Sequence, residues 1–280
     1  MATPTTNTAS ISDAELSRVI QEVEASLPVV EYMGTSLDDA AGFAVRRIEK
    51  YLPRGSTILD FGSGPGDAAA VLAGLGYRMS ATDDLCDEWH LAGNMRDRIL
   101  RFMARWKVDF FLSEQGKPWP WAQGQFDMVM SHHVLEHLID SPRELMVSLT
   151  ALVRDGGYVY ISVPSAVNIR KRISLLRGQT NHPPFDKYYW SEGTWRGHRR
   201  EYCRDDLVQL AACLGLNIVE LQTYHYMTYQ LSPVVKKVYE AVTAIVPGWR
   251  DSWYLIAQRP AGWKAPQKQL RPLVRKVRPE

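Results

Sequence analysis

The 280-residue chain has no charge excess, no cysteine pairing and no long apolar run, and each absence removes a class of function. Lys and Arg total 33 against 31 Asp and Glu, so no global positive field recommends nucleic acid as a partner. The three cysteines, Cys86, Cys203 and Cys213, are odd in number and unevenly spaced. They support neither a disulfide framework nor a thiolate zinc site and fit a cytoplasmic setting. No apolar stretch approaches the ~20 residues of a membrane-spanning helix. The opening MATPTTNTAS has neither the basic nor the apolar region of a signal peptide, so residues 1–10 read as a disordered polar leader. At the other end, residues 261–280 carry Lys264, Lys268, Arg271, Arg275, Lys276 and Arg278 against Glu280. Such a basic tail is more often solvated than bound to an anionic surface. Oligomeric state leaves no signature in the sequence.

What is present is an alternation of periods. Ile11, Leu16, Val19, Ile20 and Val23 recur at helical spacing and predict a helix over 12–26. A second helix is predicted from Ser36 to Leu52, so residues 11–55 form an N-terminal helical part. From residue 56 to 260 short apolar runs alternate with helical patterns. Strands are predicted at 56–61, 77–83, 107–112, 126–131, 158–164, 216–223 and 252–258, with helices at 67–76, 88–105, 141–153 and 204–215. Ser141-Pro142-Arg143-Glu144 has the form of a capping box, and Asp205 is placed to cap the helix at 204–215. Strands alternating with helices imply a mostly parallel sheet covered on both faces. Residues 164–200 break the alternation. Their paired prolines and dense Tyr and Trp argue against a regular element, and an insertion of this length in a domain is usually functional.

The stretch ILDFGSGPGD, Ile58 to Asp67, joins a buried strand to a helix through three glycines at alternate positions. Such a turn lets backbone N–H groups approach a ligand. A phosphate loop needs Gly-Lys-Ser/Thr at its end, which is missing. A dinucleotide site wants a small residue where Asp67 stands. Asp60 ahead of the glycines favours a ligand with a positive group, and Asp83 at the end of the next strand can accept ribose hydroxyls. A sulfonium or ammonium near one acid and a ribose at the other describe S-adenosylmethionine.

ILDFGSGPGD, GYRMSATD, FDMVMSHHVLEHL and LVRDGGYVYISVP resemble the successive motifs of class I S-adenosylmethionine-dependent methyltransferases, most closely the small-molecule, type 11-like group with VLEH after the fourth strand. The later GHRREYCRDDLVQLAACLGLNIVEL is similar to the segment leading into the sixth strand of those enzymes. The resemblance implies a Rossmann-like α/β fold with a seven-stranded, mostly parallel sheet and helices on both faces. It implies that Asp60, Gly62, Gly64 and Gly66 line the methionine part of the cofactor and that Asp83 holds the ribose. Asp84 or Leu85 would lie beside the adenine, Ser113 and Glu114 near its amine, and His132 or His133 beside the sulfonium.

Methyl transfer to a hydroxyl needs aligned reactants and a base. His132, His133, Glu136 and His137 cluster after the fourth strand, and His133, Glu136 and His137 would share one face of a helix. His133, His137 and, in the insertion, His198 are the candidate catalytic residues. The same letters contain H-x-x-E-H, a zinc-peptidase pattern, but here they follow a strand ending at the cofactor site. The favoured reading has no metal. The alternative, which resemblance to quinone O-methyltransferases implies, is a divalent ion on His133, Glu136 and His137. Tyr188, Tyr189, Trp190 and Trp195 are candidates to wall an acceptor pocket beneath an insertion acting as a lid.

The sequence therefore reads as an S-adenosylmethionine-dependent methyltransferase of a small molecule, acting at oxygen on a sugar, glycan or secondary metabolite. An aromatic or quinone hydroxyl is the alternative acceptor. A non-catalytic interaction module is the rival, which the intact glycines and ribose acid oppose. A nucleic-acid substrate is disfavoured because SHHV stands where Asn/Asp-Pro-Pro-Tyr/Phe would be.

Overall fold

The computed structural model describes residues 10–28, 41–114, 117–226, 228 and 231–267. Most of the predicted leader and basic tail, and the predicted start of the second helix at Ser36, lie outside the described residues. Seven strands form one sheet: β1 (Thr57–Phe61), β2 (Arg78–Asp83), β3 (Asp109–Leu112), β4 (Phe126–His132), β5 (Val153–Pro164), β6 (Asn217–Tyr224) and β7 (Ser252–Gln258). Their spatial order is β3-β2-β1-β4-β5-β7-β6. Every pairing is parallel except those of β7, which runs antiparallel to β5 and β6.

Pleating sends alternate residues to opposite faces, and each face has its own core. Ile58, Met79, Ala81, Met128, Met130 and Ile256 pack with α1 (Asp13–Ser26), α2 (Phe43–Ile48), α3 (Asp67–Gly74) and α5 (Met95–Arg105). Leu59, Val129, Val159, Ile161, Val163 and Leu255 pack with α6 (Arg143–Leu152) and α9 (Arg204–Leu214). Such two-sided burial explains the near-continuous apolar runs of the central strands.

Several local expectations are corrected. The helix predicted at 88–105 is two, α4 (Glu88–Leu91) and α5, broken around Gly93, whose φ is +56°. The capping box at Ser141 is not made: α6 starts at Arg143 with Pro142 as its N-cap and no side-chain cap bond. The N-cap of α9 is Cys203 rather than Asp205, with the Asp206 carboxylate accepting the Cys203 N–H at 2.9 Å. The insertion, expected to lack regular elements, holds α7 (Ile169–Leu176) and α8 (Phe185–Tyr189). Asn168 caps α7 through the Lys171 N–H. A further helix, α10 (Pro233–Ile245), joins β6 to β7 where the sequence showed no recognised pattern.

Candidate active site

The order of the sheet reverses between β1 and β4, and in open α/β sheets the crevice beyond the carboxyl ends of the strands at such a point takes ligands. The turn after β1 fills one side of that crevice. Gly62, Gly64 and Gly66 have φ of +71°, +53° and +82°, a region that residues with a Cβ avoid. The Gly62 and Ser63 N–H groups donate to the Thr82 carbonyl at 2.8 and 3.2 Å, and the Gly64 N–H donates to Asp83 Oδ2 at 2.9 Å. A Cβ on Gly62 would stand 2.3 Å from Val134, so the chain after β4 closes directly on the turn. A Cβ on Gly64 would meet nothing within 4 Å: this stretch of backbone borders open space.

The charges here suit a cation. Asp60 is 2% exposed at the end of β1. Burial pushes its carboxyl up to about 8, and the charges that add to the shift are two more acids, Asp67 and Asp83. Asp67 is itself raised to about 6 by burial, against two backbone hydrogen bonds that lower it. Asp83 is also raised, mainly by burial; its Oδ1 accepts the Leu85 N–H at 2.8 Å. Each Asp83 oxygen keeps a second lone pair for a hydroxyl donor. Ser113 joins this edge by donating its N–H to the Asp83 carbonyl at 2.9 Å. Glu114 turns instead to Lys117 at 2.6 Å on the surface. Four buried side-chain atoms around the crevice have no hydrogen-bond partner among the described residues: Ser63 Oγ, Ser131 Oγ, His132 Nε2 and Glu136 Oε2. Buried polar atoms are seldom left so without a ligand or water to meet them. These residues fit S-adenosylmethionine, with acids for its charges and hydroxyls and open backbone at Gly64.

The histidines after β4 separate. His132 is half-buried with its Nε2 enclosed, its Nδ1 3.0 Å from Ser162 Oγ, and desolvation holds its ring down to about 3, so it is neutral. His133 has a left-handed φ of +52°, uncommon for a residue with a side chain. Its Nδ1 lies 3.2 Å from Glu136 Oε1 and its Nε2 3.0 Å from the Tyr224 hydroxyl. Its ring stacks on Tyr226 at 4.1 Å, and Tyr224 stacks on Phe43 at 4.4 Å. Asp251 fixes this wall by accepting the Tyr226 N–H at 2.8 Å. The helical face expected for His133, Glu136 and His137 is replaced by a single 3-10 turn, Leu135–His137, with His133 outside it. Glu136 is 0% exposed; burial raises its carboxyl, but the His133 hydrogen bond and the charges of His133 and His137 outweigh it, and the net shift is down.

The last residues of the insertion touch the turns after β4 and β2. The Arg199 N–H donates to the Glu136 carbonyl at 2.7 Å, and the Tyr202 hydroxyl to the Leu135 carbonyl at 3.3 Å. The Arg196 carbonyl lies 2.6 Å from His137 Nδ1. The Arg196 guanidinium reaches the other way, to Asp84 at 3.0 Å and Asp87 at 2.5 Å. Residues 196–202 thus span from the end of β4 to the end of β2. Of the expected aromatic wall, Trp195 is half-buried against Tyr188, but Tyr188 and Trp190 are 56% and 77% exposed. The wall beside His133 is instead Tyr224 and Tyr226, which sequence reasoning missed. They follow a strand pattern with no motif of their own. A cleft of about 280 Å³ lined by Ile11, Lys50, Arg54 and Tyr77 lies at the amino ends of β1 and β2, away from all these groups.

Residues 36–221 match the model of the methyltransferase domain family. An uncharacterised methyltransferase of Mycobacterium tuberculosis is 33% identical over 112 residues, which is 39% of this chain and 40% of that protein. Among solved structures, a Haloferax volcanii protein in complex with the Trm112 methyltransferase activator aligns over 85% of this chain and 98% of its own, at a TM-score of 0.55 and 15% identity. The 1,6-didemethyltoxoflavin-N1-methyltransferase of Burkholderia thailandensis, solved with its substrate and S-adenosylhomocysteine, aligns over 93% of both chains at a TM-score of 0.51 and 18% identity.

Proposed function

The chain belongs to the methyltransferase domain family of class I S-adenosylmethionine-dependent enzymes, and from that premise we propose that it methylates an oxygen of a small molecule, a sugar, glycan or secondary metabolite. The observation that carries this reading is the pairing of an unneutralised acidic crevice at Asp60, Asp67 and Asp83 with a histidine held between a buried carboxylate and a tyrosine hydroxyl. S-adenosylmethionine supplies an electrophilic methyl group on a sulfonium; everything else falls to the chain. Asp60 neutralises the cation, Asp83 receives the ribose hydroxyls, and the Gly62–Gly66 backbone accommodates the methionine part. Asp84 and Ser113 border the adenine end, while neutral His132 borders the methyl donor without adding like charge.

Glu136 accepts the His133 Nδ1 proton, which leaves His133 Nε2 to accept from Tyr224. The acceptor hydroxyl would give its proton to the Tyr224 oxygen while the Tyr224 proton passes to His133 Nε2. Glu136 stabilises the imidazolium that forms. Half-buried Tyr226 is the aromatic side chain of this wall that a sugar or an aromatic ring can reach, with Tyr224 buried behind it against Phe43. The stack of His133 on Tyr226 favours the second reading, an aromatic or quinone hydroxyl, as much as the first.

The test is transfer of labelled methyl to a panel of sugar, catechol and quinol hydroxyls, beside calorimetry with S-adenosylhomocysteine. His133→Ala is expected to leave S-adenosylhomocysteine affinity within about threefold and to lower transfer roughly 100- to 10,000-fold, the range of general-base catalysis. A protein that prefers NAD to S-adenosylhomocysteine, or undiminished transfer by His133→Ala, sinks the reading.

A further inference from the structure

Three metal-ligating groups meet where the insertion docks on the turn after β4. One ligand atom each from Glu136, His137 and His198 can be chosen so that all lie within 4.8 Å of one another. His137 Nε2 stands 3.9 Å and His198 Nε2 4.0 Å from Glu136 Oε1, beyond hydrogen-bond range. The other nitrogen of each ring is engaged by a group that can only accept. His137 Nδ1 is 2.6 Å from the Arg196 carbonyl, and His198 Nδ1 is 2.9 Å from the Glu201 carboxylate. Each Nδ1 therefore carries the hydrogen, and in the neutral rings each Nε2 presents a lone pair. Two lone pairs thus face one carboxylate, whose Oε1 takes its hydrogen bond from His133 and not from either ring. The Lys171 ammonium pairs with Glu201, and its charge is felt at Glu136 and His198. Glu136 is fully buried, and its Oε2 has no hydrogen-bond partner among the described residues. A carbonyl or carboxylate behind each ring nitrogen is also how proteins orient histidines that bind metal.

We propose that Glu136, His137 and His198 form a site for a divalent transition ion of the zinc type, with the half-exposed side of His137 leaving coordination positions open. Nitrogen and oxygen ligands lie about 2.1 Å from such an ion and hence about 3 to 4 Å from one another, so atoms within 4.8 Å of one another need to close by at most about 1 to 2 Å. Two imidazoles among three ligands select a first-row transition ion over magnesium or calcium. His133 is not a ligand: its Nε2 is turned to Tyr224 and its Nδ1 to Glu136. The third ligand comes from the insertion, so the ion joins two segments distant in sequence and clamps residues 196–202 over the crevice. The site stands on its own geometry and does not depend on the identity of the methyl acceptor.

The experiment is calorimetric titration of the chelator-treated full chain with Zn²⁺, repeated with Co²⁺ while its d–d absorption is followed. One ion per chain is expected, with affinity falling at least tenfold in His137→Ala and in His198→Ala and unchanged in His133→Ala. Bound Zn²⁺ is also expected to slow proteolysis of the insertion in the wild-type chain and not in His198→Ala. S-adenosylhomocysteine affinity measured on the same samples reports that each variant is folded, and His198→Gln replaces His198→Ala if that variant is not. Absence of stoichiometric binding, binding undiminished by loss of His198, or binding lost with His133 instead overturns the proposal.

Discussion

Asp60 is where the cofactor reading meets a measurable proton. Its carboxyl is raised by burial and by two neighbouring acids to about 8, far above the ordinary value near 4. In the apo protein it is mostly protonated at neutral pH, yet a sulfonium and ammonium ligand needs it ionised. Cofactor binding should therefore release a proton, and affinity should rise between pH 6 and pH 8 by up to about tenfold per unit. The stability of the apo protein has the opposite slope. The unfolded carboxylate ionises near pH 4 while the folded one resists to about 8, so stability falls across that interval and then levels. Asp60→Asn should flatten both slopes and weaken binding at pH 8. Calorimetry in buffers of different ionisation enthalpy reads the proton directly, and affinity constant from pH 6 to 8 with no proton released would refute the role. Asp83→Ala should weaken S-adenosylhomocysteine by about 1–3 kcal/mol through lost charge-assisted bonds. These acids were legible because each stands at the end of a strand, Asp60 just ahead of the glycine turn and Asp83 closing the next strand. Tyr224, Tyr226 and Arg196 were not, because each earns its place through a partner far away in the sequence: His133, Asp251 or Asp84.

The insertion shows how an element can be located from sequence and misjudged in form. Its position after β5 put it at the carboxyl end of the sheet, and its last residues touch the turns after β4 and β2 there. Its paired prolines suggested an irregular course, but Pro184 stands just before α8 as its N-cap, where a proline costs no helical hydrogen bond. Neither α7 nor α8 buries a residue, and Phe185, Tyr189 and Trp190 are exposed. The insertion is thus tied to those turns by Arg196 and Arg199 near its end, and not by the aromatics that drew attention to it. Replacing residues 180–194 with a Gly-Ser link, which keeps Arg196, should leave S-adenosylhomocysteine binding nearly intact while abolishing methyl transfer. Arg196→Ala removes the bridge to Asp84 and Asp87. Such half-exposed pairs contribute about 0.2–1 kcal/mol each, so the dissociation rate of S-adenosylhomocysteine should rise about two- to fivefold in stopped-flow displacement. An unchanged rate would mean that the strap does not restrain the ligand.

At the scale of the molecule, the sheet was legible because its central strands are buried on both faces and helices such as α1 and α5 bury one periodic face. Strand order and the cores that join distant segments were not, since they are set by long-range packing. The helix α1 belongs to this second kind. It precedes the strand–helix repeat, yet Leu16, Val19, Ile20 and Val23 share one core with β1, β2, α3 and α5. Gly74 makes the approach possible: a Cβ there would stand 2.7 Å from Val19 Cγ1 and 3.0 Å from Trp106. The Trp106 indole N–H also donates to Ser26 Oγ at 3.0 Å. The helix is therefore part of the unit that carries the glycine turn, and damage to it should be felt as loss of global stability. Ile20 is 1% exposed, and Ile20→Ala should cost about 2–5 kcal/mol, the range for an isoleucine truncated in a packed core. Urea unfolding followed by circular dichroism and by tryptophan fluorescence should shift as one transition. S-adenosylhomocysteine at 100 times its dissociation constant should restore about 2.7 kcal/mol by binding only the folded chain. A shift below about 1 kcal/mol, or two separated transitions with the ligand protecting only the second, would show that α1 is an appendage and that the cofactor crevice folds without it.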